Sequence, residues 1–140
     1  MMSAIRSGNT KPEMMLRKML HARGFRYRLH DSKLPGKPDL VFPRYHAVLF
    51  VHGCFWHRHE GCKYATTPAS NAEFWQDKFE KNVARDRRAI DALLAAGWRV
   101  GVVWECLFKD GNVDRTVEEL VRFLTSADIH YMELPSDTAS

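Results

Sequence analysis

No apolar run in the 140 residues approaches the roughly 18 needed to cross a bilayer, and the opening Met1 to Lys11 lacks the apolar core of a signal peptide. A cytoplasmic protein with no membrane partner is therefore expected. Cysteine is scarce and odd in number, with Cys54, Cys62 and Cys106 the three present. In a reducing compartment that disfavours a disulfide framework and leaves metal ligation or burial. Repeats and low-complexity blocks are absent as well. Charge of one sign does not dominate: 21 Lys and Arg against 17 Asp and Glu leave a net +4. A modest basic balance suits a polyanionic partner, and it equally suits many proteins that never touch nucleic acid. What is present is 45% apolar residues, enough for one ordinary core. The expectation is a single domain over residues 1–134 with a frayed tail at 135–140.

Thr10-Lys11-Pro12-Glu13 reads as a capping box, with the Thr hydroxyl able to take an orphan amide and Glu13 able to reach back. A helix follows to about residue 22, with Met15, Leu16, Met19 and Leu20 at helical spacing and Gly24 to end it. Phe25 to Leu29 alternates apolar and basic, the period of a half-buried strand. Beyond a turn-rich Leu34 to Pro38, the runs Asp39 to Phe42 and Ala47 to Val51 read as a hairpin of two buried strands. Residues 53–71 show no periodicity. Ser70 to Glu73 repeats the capping pattern and opens a long helix to about Ala96, closed by Gly97. Trp98 to Trp104 is a further strand and Val113 to Thr125 a final amphipathic helix. The order α-β-β-β-α-β-α predicts an α/β fold, a mixed β-sheet flanked by helices.

Asp39 heads a buried strand after a proline, as a turn-forming or capping Asp does and as a metal-binding carboxylate does. His52 closes the next strand, and hairpin pairing carries Val51-His52 towards Asp39. A carboxylate with a carbonyl oxygen nearby suits a hard cation such as Mg²⁺. The densest constellation is Cys54 to Cys62, with Cys106 at the end of a distant strand. Cys54, His59, Cys62 and Cys106 make a Cys₃His set for Zn²⁺; the alternative is two small buried thiols and a surface histidine. An irregular stretch this long needs a staple or a function, which favours zinc. His57, two residues from His59, is left over and is either a general base or a plain exposed histidine. Phe55 and Trp56 are core residues or, in a basic protein, a wedge for a base stack.

On the long helix, Trp75, Phe79, Val83, Ile90, Leu93 and Leu94 fall in one stripe and Lys78, Lys81, Asn82, Arg85 and Arg88 in another. The second stripe is a solvated face or a phosphate contact. Asp86 falls inside the apolar stripe and is expected to be structural, paired with an arginine.

With these residues in view the sequence resembles the Vsr family of DNA mismatch endonucleases, a branch of the restriction-endonuclease-like superfamily. Thr10 to Glu13, Leu34 to Asp39, Val51 to His57, Asn82 to Asp86 and Trp104-Glu105-Cys106 carry the resemblance, across roughly residues 2–109. It implies an α/β/α sandwich with a structural zinc at Cys54, His59, Cys62 and Cys106, and Mg²⁺ at Asp39 with the Val51 carbonyl as companion. It further implies His57 as the base that activates water, with His52 and Glu13 supporting the metal-water and phosphate arrangement. Phe55, Trp56 and Met2 resemble the wedge beside the mispair, and Lys78 and Asn82 resemble mismatch-side contacts, to which the basic stripe adds Arg85. The implied substrate is double-stranded DNA with a T·G mismatch, nicked in one strand. A monomer associated with the nucleoid when acting, with mismatch-repair proteins as candidate partners, completes the expectation. Phe50-Val51-His52 departs from the superfamily's acidic residue and lysine on this strand, as the Vsr variant does. Family members usually carry a longer arm ahead of the position of Met2 that helps grip the duplex, so the resemblance does not carry affinity and target choice over to this chain. The rival readings are a related homing or structure-selective nickase and a non-catalytic, zinc-stabilised DNA-binding domain; pure binding needs neither Asp39 nor His57.

Overall fold

In the computed structural model, residues 11–59, 62–109 and 113–135 are described. Helix α1 (Lys11–Ala22) leads into β1 (Arg28–Leu29), β2 (Leu40–Phe42), a 3-10 turn at Pro43–Tyr45 and β3 (Ala47–His52). The long α2 (Ala72–Ala95), β4 (Arg99–Trp104), the short α3 (Cys106–Lys109), α4 (Val113–Thr125) and β5 (Tyr131–Leu134) follow. The sheet runs in the order β1-β2-β3-β4-β5. The first two pairings are antiparallel and the last two parallel. The mixed sheet flanked by helices is thus as expected.

Strand alternation divides the core in two. Leu40, Phe42, Ala47 and Leu49 point to one face, against Leu16 and Leu20 of α1 and Leu120, Phe123 and Leu124 of α4. Val41, Val48, Val100 and Val102 point to the other, against Leu93 of α2. Gly101 is required by the first packing, since a Cβ there would lie 2.6 Å from Leu49 Cδ2 and 3.3 Å from Phe123. At Gly36, φ is +74° and a Cβ would fall 2.6 Å from Ala89 Cβ, so the loop ahead of Asp39 lies tight on α2.

Several expectations are corrected. The strand foreseen over 25–29 shrinks to Arg28–Leu29, because Phe25 is spent on closing α1: its amide bonds Leu20 O and its ring is buried. β5 and α3 were not foreseen; β5 is a short edge strand with one buried residue, too little for a periodic signal. Ser70 does not cap α2. Asn71 does so, in a left-handed conformation (φ 55°) and with no side-chain cap bond. Thr10 lies outside the described residues, while Glu13 is buried at 1% exposure against other partners. In the apolar stripe Val83 is 44% exposed, and among the described residues Asp86 pairs with His57 rather than with an arginine. The reason is length. A helix of 24 residues is about 36 Å long, so its C-terminal half packs on the sheet and its N-terminal half on residues 55–58, with the middle free for the site.

Candidate active site and metal centre

The β2–β3 register sets Leu40 opposite Leu49, which brings Asp39 level with the end of β3. There the Val51 N–H donates to Asp39 Oδ2 at 2.7 Å. The other carboxylate oxygen faces His30 Nε2 at 3.9 Å, and that nitrogen lies 2.6 Å from Glu13 Oε2. Arg17 adds an ion pair to Glu13 at 3.2 Å. Glu13, His30 and Asp39 each offer a ligand atom within 4.8 Å of the others. Burial first, and then the neighbouring Glu13 charge, push the Asp39 carboxyl up from its ordinary 3.8 to about 6, against the lowering effect of the Val51 amide. Two carboxylates set this closely hold a place for a cation, and their oxygens suit a hard divalent ion such as Mg²⁺.

Because successive side chains of a strand alternate, His52 turns away from Val51 to the face of Phe50, whose ring it meets at 5.5 Å. Its ring stacks on His57 at 4.0 Å and 5°, and meets Trp104 edge-on. Burial, followed by the charge of His57, drives its pKa well below 6.5, so His52 is neutral. His57 Nδ1 lies 2.5 Å from Asp86 Oδ2. The convergence of Asp39 with His52 is corrected in detail. The imidazole beside Asp39 is that of His30, while His52 groups with His57 and Asp86.

Cys54, His59, Cys62 and Cys106 converge. Cys54 Sγ and Cys106 Sγ lie 3.6 and 3.5 Å from His59 Nδ1. A zinc tetrahedron with ordinary Zn–S and Zn–N bonds has an S–N edge of about 3.6 Å, so the donor set fits that ion. Burial first, and the Cys62 thiol among lesser causes, push Cys54 and Cys106 up, the cost that a bound cation reverses. His59 also stacks on Trp104 at 4.3 Å and 7°, so one indole touches both the Cys₃His cluster and His52.

Phe55 and Trp56 are half-buried and pack on Trp75 of α2, with Phe55 reaching Phe79 as well. The choice between core and surface is therefore not exclusive. Asn82 donates to the Trp56 carbonyl at 3.3 Å and Arg85 donates to Asn82 Oδ1, tying the aromatic pair to the basic stripe. Lys78, Lys81, Asn82, Arg85 and Arg88 line one open depression. Lys81 is paired there with Asp77 at 3.1 Å. Met2 lies outside the described residues.

Sequence reasoning missed two residues and mispaired a third. Arg58, in a left-handed conformation, bonds the carbonyls of Phe55, Ala65 and Thr66 and the Thr67 hydroxyl, stapling the irregular stretch. Asp86 was noticed but given the wrong partner. His30 could have been found from the pairing alone, since it follows the residue paired with Leu40 and its amide bonds Asp39 O.

Known proteins resolve the class of this arrangement. The family model for DNA mismatch endonuclease Vsr matches residues 1–63. The chain is 53% identical over 110 residues to the type II nicking enzyme V.XorIIP of Xanthomonas oryzae pv. oryzae, covering 79% of this chain and 80% of that one. It is 46% identical over 123 residues to the DNA mismatch endonuclease Vsr of Escherichia coli, covering 88% and 78%. With type II nicking enzyme V.NmeAIP of Neisseria meningitidis the identity is 43% over 127 residues, 90% of each. Fold, site and relatives together define a DNA endonuclease. The chain belongs to the Vsr family of DNA mismatch endonucleases.

Proposed function

We propose that the chain nicks one strand of duplex DNA beside a T·G mismatch, by Mg²⁺-dependent hydrolysis of a phosphodiester on a restriction-endonuclease-like scaffold. The observation that carries this reading is that the end of β3 has a carboxylate pair on its α1 side and a histidine held by a carboxylate on its α2 side. Asp39, with the Val51 carbonyl, holds the cation. Bound there, Mg²⁺ supplies positive charge against the phosphate as negative charge develops. Asp86 accepts from Nδ1–H of His57, which leaves Nε2 to take the proton of the attacking water. His52, neutral and stacked on that ring, fixes its plane and can donate to the phosphate. Glu13 supports the metal-water arrangement.

Zinc at Cys54, His59, Cys62 and Cys106 holds residues 53–71 in place. Phe55 and Trp56, with Met2, enter the duplex beside the mispair, while Lys78, Asn82 and Arg85 contact the DNA. Among the described residues no helix is long and apolar enough to cross a membrane. The protein works as a monomer on cytoplasmic DNA, where mismatch-repair proteins are its candidate partners.

The experiment is nicking of a labelled T·G duplex beside a matched T·A control, with and without Mg²⁺. Nicking confined to T·G with Mg²⁺ is expected. Equal cutting of both duplexes removes the mismatch reading, and cutting in excess chelator removes the metal.

A further inference from the structure

The Glu13–His30–Asp39 cluster contains a nitrogen where Mg²⁺ chemistry needs only oxygen. His30 is placed there by three features. Its neighbour Leu29 pairs with Leu40, its amide bonds Asp39 O at 3.1 Å, and its left-handed φ of 47° turns the chain at that point. Its Nε2 stands 2.6 Å from Glu13 Oε2 and 3.9 Å from Asp39 Oδ1. The Asp39 oxygen it faces is the one not occupied by the Val51 amide. Glu13 is 1% exposed and the Asp39 side chain 17%, so all three donors converge from a mostly buried wall.

We propose that His30 is a ligand of the cation held at Asp39, and that its imidazole biases this site towards first-row divalent ions, for which Mn²⁺ serves as the probe, over Mg²⁺. Mg²⁺ takes oxygen donors and keeps its waters, whereas an imidazole adds affinity as the ion moves along the first-row series. The inference rests on the reading of Asp39 as the metal carboxylate and deepens it, because the same pocket then discriminates between ions. In the metal-free chain the Nε2–H donates to Glu13, and ligation would require that proton to be released to solvent as the ion takes its place; His30→Gln keeps a donor for Glu13 and removes the ring nitrogen, so it separates ligation from mere support.

The test uses the full-length, zinc-replete protein. Mn²⁺ binding is followed by loss of the free-ion electron paramagnetic resonance signal, with Mg²⁺ as competitor, and nitrogen coupling to bound Mn²⁺ is read by spin-echo modulation. Wild type should show nitrogen coupling that His30→Gln lacks and that His57→Ala retains. His30→Gln should lose about tenfold or more in Mn²⁺ affinity with Mg²⁺ affinity nearly unchanged. Nitrogen coupling that persists in His30→Gln, or equal losses for both ions, would overturn ligation by His30. Asp39→Ala distinguishes the two layers: if it still binds the exchangeable Mn²⁺ as wild type does, the Asp39 assignment itself fails.

Discussion

The two ends of the central strands are built on opposite electrostatic terms. At the start of β4, Arg99 is 7% exposed and its guanidinium donates to the carbonyls of Tyr45, Phe123, Leu124, Ser126 and Ile129, gathering the end of α4 and two loops. One buried cation meets a ring of dipoles and the negative end of a helix. At the far end of β3, like meets like. Asp39 is pressed towards Glu13, and His52 is stacked on His57. The first end is complete by itself. The second keeps this crowding even with His30 and Arg17 set against Glu13 and Asp86 against His57, and in the function proposed above a cation and a phosphate would offset the remainder.

Removing Asp39 should break the unbalanced end most severely. Asp39→Ala should bring nicking of the T·G duplex to well under about a tenth of the wild-type rate while leaving the fold and DNA binding in place. A rate above that would detach Asp39 from the chemistry. Next comes the dyad on the other face: Asp86→Asn should cost about 100-fold or more in nicking at unchanged DNA affinity, because His57 then loses the group that fixes its tautomer. Wild-type turnover in Asp86→Asn would show the pair to be structural. At the balanced end the loss is of stability. Arg99→Met should cost about 3 kcal/mol or more by leaving five buried or half-buried carbonyls without their donor, with little change in the nicking rate of the remaining folded protein. Denaturant titration beside an activity assay reads both quantities.

Strands β2, β3 and β4, helices α1, α2 and α4 and the Cys₃His set were legible because each rests on local pattern: alternation, helical spacing, and a complete count of one residue type. Long-range partners were legible only through the resemblance or not at all. Asp86 sat in the apolar stripe of α2, and nothing in its spacing told that residues 57 and 86 meet where the helix leaves the sheet. His30 lay past the end of a strand whose true length is two residues. Phe55 and Trp56 show the limit of an either-or reading, since half-burial on Trp75 and Phe79 leaves one side of each ring for another role.

That half-burial sets the next smaller effect. Phe55→Ala should cost about 1–2 kcal/mol, below the roughly 3–5 of a fully buried aromatic, and should also lower the T·G-over-T·A nicking ratio. A loss of stability with an unchanged ratio would return the ring to the core alone.

If the Asp39 end is held for a cation, the crowded carboxylate there must respond to both pH and metal. Folded Asp39 takes up a proton as pH falls through about 6, whereas the unfolded chain does so only near 3.8. Its ionisation therefore weakens the folded state above that window, and stability contributed by this group rises on acidification from about 6 towards 3.8. Thermal melting of wild type and Asp39→Asn at pH 7, each with and without Mg²⁺, measures this. Without Mg²⁺ the variant should melt higher, by the equivalent of about 1–3 kcal/mol, and Mg²⁺ should raise the wild type alone. A variant that melts lower in the absence of metal, or that gains as much from Mg²⁺ as the wild type, would contradict it.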